Sequence, residues 1–403
     1  MVGISELCDD LLLKILSFLP TKVAVSTSIL SKQWQFLWMW LPKLEYGEYD
    51  ITGPLSSWSG TLRYEEFMDK NLTSHRAPVI ESLLLRFCHR RLPQPEKIKL
   101  WIGIALSRCV RELSIVSIYF NDVLSLPSGL YTCNSLMTLK LEGEIILVDV
   151  PRIVYLPSLK NLQLRRVTYS NEDSLGLLIS SCPVLEILFI YRYDVDDNVR
   201  AIVVNVPSLQ RLVLEIGGSC SDDGCVIDTP SLKYLKIVDY RHYASCLIEP
   251  MPKLEEADIA VVTNIEKVLK SVKSARRLSL RPMFCSKEET VDRAGIVFSQ
   301  LEHLKLCICR ENWSKLLLWL LRNSPKLRVL NLFVDTWPRF DAYEPVDLKN
   351  KESPVPECLL SSLETFEFAG FRERQEETDF LSFFFKHAFC LKSTSVIRAS
   401  RRF

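Results

Sequence analysis

A short apolar pattern recurs a dozen times along this chain of 403 residues, and it constrains the fold more than any other feature. Each copy has three apolar residues, the second three positions and the third five positions after the first, as in Leu136–Leu141 and Leu159–Leu164. The last two apolar residues of a copy lie two apart, so they share one face of a short strand. Successive copies start 21 to 26 residues apart between Leu136 and Leu327. This interval predicts stacked α/β repeats that bury their apolar faces only against one another.

The spacing and the interval are similar to those of leucine-rich repeats, whose period is roughly 20–29 residues. Helical segments are predicted between the strands, at residues 95–109, 174–181, 265–275 and 311–323. Proline precedes several strands, where it cannot donate to the ladder and fixes the turn. These prolines are Pro183, Pro207, Pro230, Pro252 and Pro325. The asparagine that usually follows the triplet in such repeats is absent from most copies, as at Glu144 and Gly217. We therefore predict an irregular right-handed leucine-rich-repeat solenoid over residues 79–335.

Residues 1–45 carry a different pattern, typical of three short helices. Apolar residues from Leu7 to Leu19 recur at helical spacing, and Pro20 ends that helix. A second helical run follows Thr21, and Ser31 can cap a third that carries Trp34. A unit of this size cannot bury all its own apolar side chains. It is either a small cap packed on the rest of the chain or a docking module whose surplus apolar surface meets a partner.

The strings at Asp9–Lys22 and Thr27–Trp38 resemble the F-box of plant proteins. The resemblance implies docking onto the Skp adaptor of Skp–cullin–F-box ubiquitin ligases. It also implies that a set of residues meets the adaptor or shapes the docking face, namely Leu7, Leu11, Ile15, Leu16, Pro20, Leu30 and Trp34. Two positions depart from the family pattern, because Cys8 stands where proline is usual and Gln33 where arginine is usual.

The C-terminal part is predicted to be a separate module. Prolines and mixed charges at residues 336–353 predict a loop. The segments Val355–Phe368 and Phe380–Leu391 then resemble the FBD module found behind F-box and leucine-rich repeats in plants. No biochemical activity follows from that resemblance, and we predict that residues 354–403 cap the solenoid. Residues 46–78 are predicted to form a helical linker between the F-box and the first repeat.

Composition and motifs argue against catalysis and against several classes of ligand. Lys and Arg number 50 and Asp and Glu 49, so no net field attracts nucleic acid or an anionic membrane. The longest apolar runs have six residues, whereas a membrane helix needs about 20. The chain has no phosphate-binding glycine motif, no H-E-x-x-H and no G-x-S-x-G, and its five histidines are isolated. We expect a non-catalytic protein with no cofactor or metal, and with neither nucleic acid nor membrane as a partner.

The 13 cysteines are interpreted as free thiols. Acidic residues within the first ten positions exclude a secretory leader there, which predicts a reducing, intracellular location in the cytoplasm, the nucleus or both. Neither the pair Cys307 and Cys309 nor the pair Cys220 and Cys225 has the spacing of a zinc site. We expect most of the thiols to be buried as small apolar side chains.

Solenoids of this kind bind partners on their concave sheet face. Strand alternation places there the side chains between and just after the last two apolar positions of each triplet. Exposed aromatic residues and arginine are typical of binding hot spots. The predicted target-binding residues are Phe189, Tyr191, Tyr234, Arg277, Arg281 and Lys305. The basic members could instead meet an acidic peptide or an inositol phosphate.

These features together predict a substrate-recognition adaptor of a Skp–cullin–F-box ubiquitin ligase. Its partners would be a Skp-type adaptor, a cullin held through that adaptor, and an unidentified target protein. Two binding sites on one semi-rigid chain would raise the effective concentration of the target near the transferred ubiquitin. The alternative is a leucine-rich-repeat interaction scaffold that no longer enters a ligase. A third possibility, an enzyme built on the solenoid, has no motif to support it.

Overall fold

Two compact units, Met1–Val199 and Arg200–Phe403, make up the chain in a computed structural model. The structure describes residues 7–47, 58–87, 93–117, 123–144, 146–193, 197–242, 246–262, 265–282, 295–308, 313–334 and 355–399. The loop predicted at residues 336–353 lies outside this described part.

The first unit begins with the predicted helical segment. Helix α1 spans Asp9–Leu16 and α2 spans Thr21–Ser26. Asp9 and Asp10 in the first turn of α1 complement the helix dipole. The third predicted helix forms as a 3₁₀ helix, Trp34–Trp40, after a short 3₁₀ turn at Thr27–Ile29. Residues three apart share a side in a 3₁₀ helix, so Trp34 and Leu37 are buried together.

The repeats of the first unit form a parallel sheet in the order β1, β2, β3, β5, β7, β9. These strands are β1 Lys43–Gly47, β2 Ser82–Phe87, β3 Glu112–Ser117, β5 Thr138–Glu142, β7 Asn161–Arg165 and β9 Ile187–Arg192. A second small sheet contains β4 Leu124–Ser125, β6 Ile146–Val148 and β8 Thr168–Tyr169. Helices α3 Trp58–Ser74, α4 Pro95–Ser107 and α5 Ser174–Ser180, with a 3₁₀ turn at Ser128–Thr132, connect the strands. The predicted triplets place their last two apolar residues in the core, as with Leu139 and Leu141.

The sheet begins earlier than the repeat pattern predicted. Strand β1 pairs in parallel with β2, with Leu44 opposite Leu83. The segment predicted as a linker contains α3, and α3 is fixed to the first repeat. Trp101 Nε1 donates a hydrogen bond to Asp69 Oδ1 at 2.7 Å, and Lys97 Nζ lies 3.1 Å from Asp69 Oδ2. Residues 7–47 therefore end in a strand of the sheet of their unit.

The second unit repeats the same architecture. Its main parallel sheet has the order β11, β13, β15, β16, β17, β18, β19, β20. These strands are β11 Arg211–Ile216, β13 Tyr234–Asp239, β15 Glu256–Val261, β16 Arg277–Pro282, β17 His303–Cys307, β18 Val329–Phe333, β19 Thr365–Phe371 and β20 Ser393–Arg398. A small sheet contains β10 Ile202–Asn205, β12 Cys225–Asp228 and β14 Cys246–Ile248. The helices are α6 Ile265–Ser271, α7 Trp313–Arg322, α8 Glu357–Ser361 and α9 Gln375–His387.

The interpretation of all cysteines as free thiols is wrong. Cys225 and Cys246 form a disulfide, and Cys307 is also disulfide-bonded. Cys225 and Cys246 occupy paired positions on β12 and β14, with their Cα atoms 4.5 Å apart. Register between neighbouring repeats brings them within bonding range. Cys182 and Cys358 match the expectation of buried free thiols, and burial raises the pKa of each to about 12.

Glu376 joins the C-terminal module to the last predicted repeat helix through a buried hydrogen bond. Ser314 Oγ donates to Glu376 Oε1 at 2.5 Å. Burial raises the pKa of this carboxyl above its ordinary value. Its contribution to stability is therefore complete below that ordinary value and is lost as the pH rises through the folded-state pKa.

We expect Glu376→Gln to keep the acceptor oxygen and to remove the buried charge. The midpoint of thermal unfolding should rise by roughly 2–4 °C at pH 8, and the gain should shrink as the pH approaches 4. The matched control is Glu377→Gln, because Glu377 Oε2 accepts a hydrogen bond from the Arg372 N–H at 2.8 Å. It should give no gain. An equal shift for Glu376→Gln at both pH values would contradict the assignment.

Candidate partner-binding surfaces

The predicted adaptor-binding residues divide into an exposed and a buried group. Leu11 and Leu30 are 48% and 65% exposed, Pro20 is exposed, and Leu7 and Ile15 are half-buried. Leu16 and Trp34 are buried within the unit. They have almost no surface to offer a partner, so of the two roles implied for them only shaping the docking face fits the structure.

Further apolar side chains of residues 7–47 are exposed besides those of Leu11 and Leu30. The exposed residues that the sequence analysis did not single out are Phe18, Val23, Ile29, Phe36 and Trp40. A folded chain rarely exposes so many large apolar side chains in a short segment unless they bind a partner. The sequence did contain a signal for these exposed residues. The segment has more apolar residues than the buried stripe of Leu12 and Leu16 requires. We call this surface the apolar F-box face.

The two positions that depart from the family pattern keep the local geometry. Cys8 has φ −68°, the value to which a proline ring is fixed, and ψ 157°, which proline also adopts. Gln33 Nε2 donates hydrogen bonds to Leu7 O and to Asp9 Oδ1, each at 3.0 Å. The glutamine therefore ties the start of α1 to the segment that precedes Trp34.

On the open sheet face of the first unit, aromatic residues belong to β9 itself. Phe189 and Tyr191 are half-buried and alternate with buried Leu188 and Ile190. The guanidinium of Arg165 lies 4.5 Å from the centre of the Phe189 ring. The rings of Tyr191 and exposed Tyr193 are 6.3 Å apart. The structure thus brings two predicted target-binding residues together, with Arg165 and Tyr193 beside them.

A cavity of about 240 Å³ lies next to Tyr193. Its lining residues are Glu144, Arg166, Val167, Thr168, Arg192, Tyr193 and Asp197. Arg192 is buried and forms an ion pair with Asp197, with Nη2 2.7 Å from Oδ1. Sequence analysis missed this pair, although an arginine at the end of a strand with an aspartate five residues later was a visible signal. Because Arg192 and Asp197 neutralise each other, this pair adds no net charge to the lining of the cavity.

In the second unit, Tyr234 and Arg277 are each engaged by a neighbour. The guanidinium of Arg211 lies 3.6 Å from the centre of the Tyr234 ring. Arg277 Nη2 is 3.1 Å from Glu256 Oε2. Glu256 partly neutralises the charge of Arg277, so Arg277 attracts an acidic partner less strongly than an unpaired arginine would.

Arg281 and Lys305 meet at an aromatic ring. Lys305 Nζ is 4.8 Å, and the guanidinium carbon of Arg281 5.9 Å, from the centre of the Phe333 ring. A cation within about 6 Å of a ring face is attracted by the ring quadrupole. Phe333 was not predicted, because its proximity to Lys305 depends on the register between β17 and β18.

The described ranges contain neither a metal-binding cluster of side chains nor a membrane-spanning helix. No group of three or more His, Cys, Asp or Glu side chains there could hold a metal ion. His75 is buried, its Nε2 lies 2.9 Å from Leu41 O, and burial lowers the pKa of its imidazole. Such a histidine holds structure together. Within the same ranges, no helix is long and apolar enough to cross a bilayer.

Comparisons with known proteins identify three parts of the chain. Family models match three parts of the chain: the F-box domain at residues 4–46, the repeats of an FBD-associated F-box protein at 98–260 and FBD at 351–396. From Arabidopsis thaliana, FBD-associated F-box protein At5g60610 is 56% identical over 98% of this chain and 100% of its own length. The putative FBD-associated F-box protein At5g56700 is 60% identical over 100% and 99%. The putative F-box/LRR-repeat protein At4g15060 is 48% identical over 94% and 91%.

Proposed function

Because the chain belongs to the family of FBD-associated F-box proteins, we propose that it is the substrate-recognition adaptor of a Skp–cullin–F-box ubiquitin ligase. In this proposal the apolar F-box face docks a Skp-type adaptor, which connects to a cullin, and the repeats bind a target protein. The observation that carries the proposal is that this face is exposed within the residues that match the F-box model.

The energetics of docking support this proposal. Fully burying one leucine side chain contributes about 1.5–3 kcal/mol. Leu11 and Leu30 belong to a segment that is already folded around buried Leu12, Leu16 and Trp34, so little conformational entropy would be lost on binding. A handful of such contacts is enough for a stable complex once the cost of association is met.

The proposed mechanism is proximity. Strand β1 joins the F-box segment to β2, and the Asp69–Trp101 hydrogen bond fixes α3 to α4. Within the first unit, a target held on the open sheet face would therefore keep a defined relation to the F-box. Such a relation raises the effective concentration of target lysines near the transferred ubiquitin. The ubiquitin transfer itself would belong to other subunits.

Three patches support the target-binding part of the proposal. Phe189 and Tyr191 form one, with Arg165. Tyr234 with Arg211 forms another, and Arg281 and Lys305 around Phe333 form a third. Arg277, which is paired with Glu256, lies on the same strand as Arg281. Aromatic residues and arginine carry most of the binding energy in protein interfaces.

The test is a pull-down of a purified Skp-type adaptor by the full chain. We expect Leu11→Asp and Leu30→Asp each to weaken binding by roughly tenfold or more, since each loses the burial of a leucine. The matched control is Ile153→Asp, because Ile153 is an exposed apolar residue of the same unit outside the F-box match. It should bind like the wild type.

The alternative, a scaffold that no longer enters a ligase, predicts a different result. The wild type would then bind no adaptor, and restoring the family residue with Cys8→Pro would not change this. Cys8 already has the backbone conformation of proline, so that variant should fold normally.

A further inference from the structure

The last strand of the second unit has a bare edge. Strand β20 pairs with β19 on one side, and all six of its side chains are exposed. No other strand pairs with it among the residues that the structure describes. Parallel strands are normally covered on both faces, and an open edge is a template for another strand. The exposed faces and the unpaired edge of β20 are therefore not explained by the role of a terminal cap.

The direction of the backbone groups defines this edge. The Ser393 N–H donates to Glu364 O at 3.1 Å, and the Ala399 N–H donates to Phe371 O at 3.0 Å. Because the direction alternates along a strand, Thr394, Val396 and Arg398 present their backbone groups to the open side.

Two described cations at the ends of β20 are paired within the chain. Lys392 Nζ lies 3.3 Å from Glu364 Oε2, and Arg398 is paired with Glu373. Charged residues commonly protect an edge strand by pointing into the space beside it. Both of these cations are held by carboxylates of their own chain instead.

An exposed apolar layer lies beside the edge. Phe385 packs edge-on against Phe366 at 6.0 Å, and Phe366 is the register neighbour of Thr394 in β20. Phe385 is half exposed, and Phe389 is 72% exposed. The Phe389 N–H donates to Leu359 O at 3.2 Å, and the next residue, Leu360, is also exposed. A suitable partner must therefore supply both a strand and apolar side chains of a helical layer.

We propose that this surface binds a second copy of the chain, through antiparallel pairing of the two β20 strands. A two-fold axis perpendicular to the sheet keeps the same face of both copies on the same side. Residues opposite each other must then share a face, so the axis passes through one residue of β20. A second copy supplies a strand together with its own Phe385 and Phe389, whereas an isolated extended peptide supplies only the strand.

The backbone groups on the open side select the register. An axis through Ser395 would pair Thr394 with Val396 of the other copy and would leave the backbone groups of Arg398 outside the pairing of the two β20 strands. An axis through Val396 pairs Thr394 with Arg398 and Ser395 with Ile397, and it brings the two Val396 side chains together. The structure thus favours the axis through Val396.

The first test is the mass of the full chain in solution, by light scattering or sedimentation over a series of concentrations. We expect a dimer for the wild type and for Val396→Thr, which keeps the backbone N–H. Val396→Pro should be a monomer, because proline removes the N–H at the free edge and is tolerated on edge strands. An unchanged midpoint of thermal unfolding would show that Val396→Pro is folded. A monomeric wild type, or a dimeric folded Val396→Pro, would overturn the proposal.

The second test is disulfide cross-linking under mild oxidation. Opposite residues of a hydrogen-bonded antiparallel pair have Cα atoms about 5.5 Å apart, within the range for a disulfide. Val396→Cys should therefore form a covalent dimer above the wild-type background. Ser393→Cys is the matched control, because its own counterpart would lie about six residues, or roughly 20 Å, away along the strand. Equal cross-linking of both variants would overturn the register.

Discussion

Leu16→Asp is expected to unfold the F-box segment, whereas Leu30→Asp should leave it folded and remove only adaptor binding. Leu16, in the last turn of α1, is fully buried, and Leu30 is mostly exposed. The first substitution loses about 1.5–3 kcal/mol of burial and adds the desolvation of a carboxylate, which costs several kcal/mol more. The second places the carboxylate in water. Both would reduce binding in a pull-down, so binding alone does not distinguish a contact residue from a supporting one.

Limited proteolysis and thermal unfolding make the distinction. Trypsin should cut Leu16→Asp at Lys14, Lys22 and Lys32 under conditions in which the wild type and Leu30→Asp resist. Leu16→Met is the conservative control and should stay resistant, since a change of similar volume costs less than about 1.5 kcal/mol. A protease-resistant Leu16→Asp that fails to bind adaptor would show instead that Leu16 contacts the partner directly.

The repeat pattern predicted most of the sheet because its signal is local and repeated. Strand β1 escaped, although Leu41, Leu44 and Tyr46 have the spacing of the later triplets. All three are buried, and the Tyr46 hydroxyl donates to Asn71 Oδ1. The third position of this triplet is tyrosine, unlike the aliphatic residues of most later copies. The triplet also overlaps the end of the third predicted helix, so these residues were assigned to the helix and not to a strand.

The candidate surfaces were predicted only in part, because their composition depends on register and on the choice of buried helix face. Periodicity placed Leu11, Leu12, Ile15 and Leu16 on one broad stripe of α1. It did not show that Leu12 and Leu16 face the core while Leu11 faces water. The Cys225–Cys246 disulfide has a 21-residue separation, which is one repeat length, and that coincidence was a usable signal.

Two buried ion pairs donate hydrogen bonds to loop carbonyls, a role that we expect of the asparagines that most of these repeats lack. Arg192 binds Asp197 and donates through Nη2 to Val199 O at 2.5 Å. Arg241 binds Asp239 through Nε and Nη2 at 3.0 and 2.9 Å. Its Nη1 donates to Ser221 O at 2.7 Å and to Asp223 O at 2.9 Å. In each unit the arginine thus satisfies loop carbonyls that would otherwise lack a donor.

Removing one member of such a pair should be far more damaging than removing both. Arg241→Met leaves the buried Asp239 carboxylate without its counter-ion, which typically costs 3–5 kcal/mol, or about a third of a domain's stability. Adding Asp239→Leu to that variant removes the stranded charge, so we expect the double variant to recover much of the loss. Denaturant unfolding of the wild type, both single variants and the double variant measures the coupling free energy between the two side chains. If the losses of unfolding free energy in the two single variants simply add up in the double variant, the two side chains are not coupled. The stabilisation would then come from the hydrogen bonds that Arg241 makes to Ser221 and Asp223.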